Sequence, residues 1–149
     1  GRLLPVTMVK EAPQIENGST FVPGITLIGY TVLSQSESET RFIILWRAEH
    51  PVSADWTVFV HMLNATGDIV AQADGPPLKG DWPTSAWDLG QPVRDLRHLA
   101  YSRALPPGDY SVLVGLYDPD SGLRAAAHAR DGSEYVDRAV PLLSVRVSE

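Results

Sequence analysis

From Ile25 onward the chain is a succession of short segments in which apolar and polar residues alternate with a period of two. That is the spacing of strands with one buried face. Ile25–Leu33 carries Ile28, Tyr30 and Val32 on one face. Thr40–Ala48 is apolar on both faces, with Phe42, Ile44 and Trp46 opposite Ile43 and Leu45, which predicts a central strand covered twice. In Trp56–Leu63, Val58, Val60 and Met62 share the face opposite Phe59, His61 and Leu63. Asn64-Ala-Thr-Gly67 predicts a hairpin turn, since Asn and Gly accept positive φ, and Asp68–Ala73 returns as a shorter strand. Gln91–Leu99, Asp109–Tyr117 and Arg138–Val147 complete the series. Of these, Asp109–Tyr117 alternates most clearly, and the last segment turns Leu143, Val145 and Val147 inward. Pro106-Pro-Gly108 and Asp118-Pro-Asp-Ser-Gly122 read as turns.

This spacing predicts about eight strands joined by hairpins. The expected fold class is therefore all-β, an antiparallel two-sheet sandwich of immunoglobulin-like or jelly-roll-like form. Helical periodicity is nearly absent, and the best helical segment is the Ala-rich Leu123–Arg130. Residues 1–24 hold Pro5, Pro13, Pro23, Gly18 and Gly24 and read as an irregular N-terminal arm or linker, with one short edge strand at Leu3–Met8. Residues 25–149 are the expected sandwich domain.

Composition narrows the function. With 149 residues, 44% of them hydrophobic, the chain can bury one core without staples. A net charge of −6 with scattered Lys and Arg argues against nucleic acid and anionic lipid as partners. The absence of Cys excludes disulfides, thiolate metal sites and a cysteine nucleophile. Crossing a membrane as a helix takes about 20 apolar residues, and no such run exists, so this segment is not expected to insert. The start, Gly1-Arg-Leu-Leu-Pro5, lacks the features of a signal peptide, and the leading Gly suggests a piece trimmed from a longer protein.

One segment breaks the strand pattern. Asp74–Gly90 holds Trp82 and Trp87, two of the four Trp, and three of the twelve Pro. A loop this long in a compact domain is functional or tightly packed. Its two indoles offer either a flat platform for a sugar ring, with Asp81 and Asp88 accepting hydroxyl hydrogen bonds, or a plug that pins the loop over an open sheet end. Trp56 and Tyr117 are further surface candidates. Asp74, Arg94 and Asp95 flank the loop, where an Arg–Asp pair ties loop to strand or forms a polar rim. Thr84-Ser-Ala-Trp87 has the makings of a helical turn capped by Thr84 or Ser85.

Catalytic signatures are missing. There is no nucleophile elbow, phosphate loop, dinucleotide fingerprint or zinc motif. His50, His61, His98 and His128 lack ligand spacing. Asp118–Gly122 superficially looks like a calcium loop, but Ala129 stands where a bidentate Glu is required. No metal and no cofactor is expected, and the domain reads as non-catalytic. A glycosidase-like pair of carboxylates is a question of distance in space. Asn17-Gly-Ser19 and Asn64-Ala-Thr66 match the glycosylation acceptor pattern, both within turn chemistry.

Several stretches, in order and spacing, resemble a β-sandwich module at the extracytoplasmic C-terminus of bacterial membrane glycosyltransferases of the oligosaccharyltransferase-like (family 39) type. They are Trp56–Pro77, Trp82-Pro-Thr-Ser-Ala-Trp87, Gly90-Gln-Pro-Val-Arg-Asp95 and Leu105–Pro119, and the likeness spans residues 25–147. A looser similarity links the chain to O-antigen-binding sandwich domains of ABC transporters. The resemblance implies an accessory domain outside the membrane-embedded catalytic part, in the cell envelope. Its partners would be the rest of the parent protein and a glycan that it binds or orients. Two alternatives stand beside it: a purely structural or protein-interaction module, and a small glycoside hydrolase-like enzyme.

Overall fold

The computed structural model describes residues 12–22 and 24–148. Nine strands form in them: β1 (Ile15–Phe21), β2 (Ile25–Gln35), β3 (Glu39–Ala48), β4 (Thr57–Leu63), β5 (Ile69–Gln72), β6 (Val93–Ala100), β7 (Gly108–Tyr117), β8 (Ala127–His128) and β9 (Val140–Val147). They make two sheets, ordered β6-β3-β2-β1-β8 and β5-β4-β7-β9. Every ladder between named strands is antiparallel. The all-β sandwich expected from the alternation is what forms.

The core lies between the sheets. Phe42, Ile44 and Trp46 of β3 face Val58, Val60 and Met62 of β4 and Val112, Val114 and Leu116 of β7, all fully buried. Phe21 meets Trp46 edge-on, with centroids 5.7 Å apart, the geometry that the aromatic quadrupole favours. Ile43 and Leu45, on the other face of β3, are buried as well, in keeping with a strand covered twice. The Asn64–Gly67 hairpin also forms, with Gly67 at φ 87° and the Asn64 Oδ1 accepting the backbone N–H groups of Thr66 and Asp68.

Three local expectations are corrected. Ile15–Phe21, assigned to the irregular arm, pairs as β1 between β2 and β8; its Gly18 and the neighbouring prolines masked a strand whose Ser19 and Phe21 point inward. The edge strand expected at Leu3–Met8 lies outside the described residues. The face of β2 is not uniform. A bulge between Leu27 and Gly29 lets Ile25 and Leu27 face the core in the first half and Tyr30 and Val32 in the second, leaving Ile28 at the irregular position. One extra residue inverts the alternation, which a strict period of two cannot register. Leu123–Arg130 does not coil. It supplies β8, and His128 bridges Glu134 in a short hairpin. Ala125 and Ala127 are buried in the core, and tertiary packing overrides a weak helical preference.

Outside the core, Phe59 lies on the outer face of the β5-β4-β7-β9 sheet, yet only 1% of it is exposed. It rests across Gly115, its cross-strand partner, where a Cβ would collide with the ring. The Arg124 guanidinium stacks above it at 4.1 Å, a cation–π contact. Replacing Gly115 with Ala should displace the ring and lower stability by about 1–3 kcal/mol. Urea unfolding monitored by circular dichroism checks this, and an unchanged midpoint would show that Phe59 swings away at no cost.

Candidate functional site

Strand β6 alternates without a break: Val93, Asp95, Arg97 and Leu99 point inward, while Arg94, Leu96, His98 and Ala100 point out. Two inward positions are therefore charged, and both are buried, Asp95 at 1% and Arg97 at 6% exposure. Buried charges persist only when paired and fully hydrogen-bonded. Here they are. The Asp95 Oδ2 accepts from the Arg97 Nε at 3.1 Å and Nη2 at 2.8 Å, and from the Trp46 indole N–H at 3.1 Å. Its Oδ1 takes the Leu78 backbone N–H at 3.3 Å. The guanidinium also reaches across the open side of the sandwich and donates to the carbonyls of Ala73 and Gly75, at 3.1 and 3.0 Å. The Arg–Asp pair expected of Arg94 is corrected: Arg94 points outward, and Asp95 pairs with Arg97 two residues along the same strand, the pair reaching the loop through the Leu78 N–H and the Ala73 and Gly75 carbonyls.

This network anchors the start of the 74–90 loop. Gly75 continues the β5 edge by bridging Val58, and at the far end Leu89 bridges Ala48. Between them the chain makes two short 3-10 turns, Pro77–Gly80 and Thr84–Ala86. The second does form where a turn was expected, but no side chain caps it. The buried Thr84 hydroxyl instead donates to the Ala54 carbonyl at 2.6 Å and accepts the Trp56 N–H at 3.0 Å. Leu78 and Lys79 both sit at positive φ, 52° and 55°. Non-glycine residues hold that conformation only where the surroundings enforce it, and the Leu78 N–H bond to Asp95 is one such constraint.

The two loop tryptophans form a plug. Trp87 is buried in the core, and its indole N–H donates to the Trp82 carbonyl at 2.8 Å. Trp82 is half-buried against that core, and its N–H donates to the Ala86 carbonyl at 3.0 Å. With Trp87 enclosed, the pair does not present the open double platform that a sugar would stack on. Trp56 is also half-buried against the core, and its indole N–H has no partner among the described residues. Tyr117 is half-buried on β7, opposite Thr57 and bridged to Arg124. Asp88 is exposed beside Trp87.

A cleft of about 640 Å³ opens between the beginning of the loop and β6. Of the predicted site residues it gathers Asp81, which is exposed; Asp74 and Asp95, the flanking carboxylates, also line it. Lys79, Leu96, Arg97 and His98 were not anticipated. A sequence signal for Arg97 existed: in Val93-Arg-Asp-Leu-Arg-His-Leu-Ala100, strict alternation places Asp95 and Arg97 in register with Val93 and Leu99. The Asp74 carboxylate is engaged, accepting the Val60 N–H at 2.8 Å and lying 3.3 Å from the His61 Nε2. Asp95 is likewise held on both oxygens. Among the described residues no three His, Asp or Glu side chains converge as metal ligands. The Asp118 carboxylate closes its own turn on the Asp120 N–H.

No family model matches the chain, and no curated protein matches it either. Among solved structures it is similar to a β-glucuronidase from glycoside hydrolase family 2, with a TM-score of 0.47 and 13% identity over 68% of this chain. The chain spans only 11% of that protein. A likeness this slight carries no argument about activity. No helix among the described residues is long and apolar enough to cross a membrane.

The network predicts a clear hierarchy of mutational effects. Arg97→Met should cost about 3–5 kcal/mol by stranding the Asp95 carboxylate, whereas the Asp95→Leu/Arg97→Met double variant should recover much of that loss. Denaturant unfolding of the single and double variants checks it. Trp87→Ala should likewise cost about 3–5 kcal/mol, and Trp82→Ala clearly less.

Proposed function

We propose that this sandwich is a non-catalytic accessory domain on the extracytoplasmic side of a membrane glycosyltransferase-like protein. There it docks on the catalytic part and so orients the glycan being handled. The order and spacing of the motifs from Trp56 to Pro119 support the type of parent. The geometry favours docking by protein contact over direct glycan capture, and one observation carries this. The loop that was the best candidate for stacking on sugar is fastened at both ends and plugged by Trp87, so its aromatic area serves the core. What it leaves outside is a preformed cleft with fixed walls, suited to receiving a rigid partner surface.

A second reading, direct glycan binding, draws on the half-exposed Trp82 beside Asp81, with Asp88 one loop turn further on. The two readings separate experimentally. Under docking, titration of the isolated chain with bacterial surface oligosaccharides leaves Trp fluorescence unchanged, while deletion of the domain from its parent lowers glycan transfer and spares membrane insertion. Saturable quenching that Trp82→Ala abolishes, in a variant with unchanged circular dichroism, would overturn docking in favour of glycan capture.

A further inference from the structure

The four sheet edges of this sandwich are not treated alike. The β8 edge is two residues long and is flanked by the hairpin strand that bridges at Glu134. The β5 edge is four residues long. The β9 edge contains Pro141 and a register shift between Val112 and Leu113 of its partner. Short strands, proline and bulges are the usual means of preventing a sheet edge from pairing with another chain. The β6 edge has none of them. It runs for eight residues and pairs with β3 in unbroken register.

The hydrogen-bond parity of β6 can be read from its neighbours. The Tyr101 N–H donates to the Ser38 carbonyl, and the Gly90 N–H to that of Ala48. The even-numbered residues of β3 therefore direct their backbone groups to β6, and the partners Val93, Asp95, Arg97 and Leu99 direct theirs back. The backbone N–H and C=O groups of Leu96, His98 and Ala100 consequently point away from the sheet. No partner for them exists among the described residues. Together they offer roughly 13 Å of open ladder. It borders the 640 Å³ cleft, and the Leu96 side chain beside it is 46% exposed.

We propose that the β6 edge is a strand-addition site, at which an extended peptide of a partner protein pairs with Leu96, His98 and Ala100 and lies in the cleft. This deepens the docking reading above and rests on it for its biological setting. Charge sets the partner's chemistry. With Arg97 matched by Asp95, and Asp74 engaged by the Val60 N–H and His61, the exposed charges of the cleft are the Asp81 carboxylate and the Lys79 ammonium. A fitting strand alternates an apolar residue over Leu96 with a basic residue toward Asp81. The inward charges of β6, which elsewhere deter pairing, are here engaged by the loop and build the opposite wall of the cleft.

The test uses the chain itself and the heptapeptide Thr-Val-Lys-Val-Lys-Val-Thr as probe. Amide exchange followed by NMR should slow by roughly tenfold or more at Leu96, His98 and Ala100 on adding peptide. Leu96→Pro removes an outward N–H while breaking no bond to β3, so it should fold and weaken binding by roughly tenfold or more. The same peptide N-methylated at every peptide nitrogen has no N–H on either edge and should fail to bind the unaltered chain, a control that needs no variant to fold. The proposal falls if the three amides stay unprotected at millimolar peptide, or if the N-methylated peptide binds equally well. It also falls if the edge is occupied by a second copy, seen as a dimer that Leu96→Pro dissolves. Should the edge bind the peptide while deletion of the domain leaves glycan transfer unchanged, the docking reading alone fails.

Discussion

The buried pair of Asp95 and Arg97 is the constraint on which the cleft face of this molecule depends. A sandwich whose sheets end in β5 and β6 has an open side, and something must close it. Here a guanidinium on the last strand of one sheet crosses the gap and takes the carbonyls that leave the last strand of the other. Its partner carboxylate simultaneously holds a core indole and the turn at Leu78. Such a pair contributes little net stability compared with an apolar equivalent, because desolvation offsets most of the attraction. What it provides is position. Every acceptor on Asp95 is directional, so the loop has one register against β6, and the cleft has one shape.

The same economy governs the tryptophans. Aromatic area on a loop is ambiguous, because an indole that binds a sugar and an indole that seals a core look alike in sequence. The surroundings of Thr84 decide the matter. Its hydroxyl draws the loop down onto Ala54 and Trp56, which brings Trp87 over the sheet end, where each indole N–H finds a carbonyl of the loop itself. Once both polar handles are satisfied internally, burying the rings gains apolar area at no polar cost. The result is a stiffened wall that faces the regular strand β6 across the cleft.

Sequence alone determined the layer architecture. Seven of the strands follow from period-two alternation, since one face of each must leave water and a shift of one residue would expose every apolar side chain at once. Val58, Val60 and Met62 against Val112, Val114 and Leu116 are legible in this way, as is the Asn64–Gly67 turn from its tolerance of positive φ. Tertiary structure decided what alternation cannot encode. The bulge at Ile28 reverses a face midway along β2. The strand at Ile15–Phe21 draws its stability from neighbours on both sides rather than from its own composition. Ala127 and His128 are extended because the sheet accepts them there. The cleft itself joins residues 74–81 to residues 95–98, a proximity that exists only because two different sheets bring their edges together and one arginine is long enough to span them.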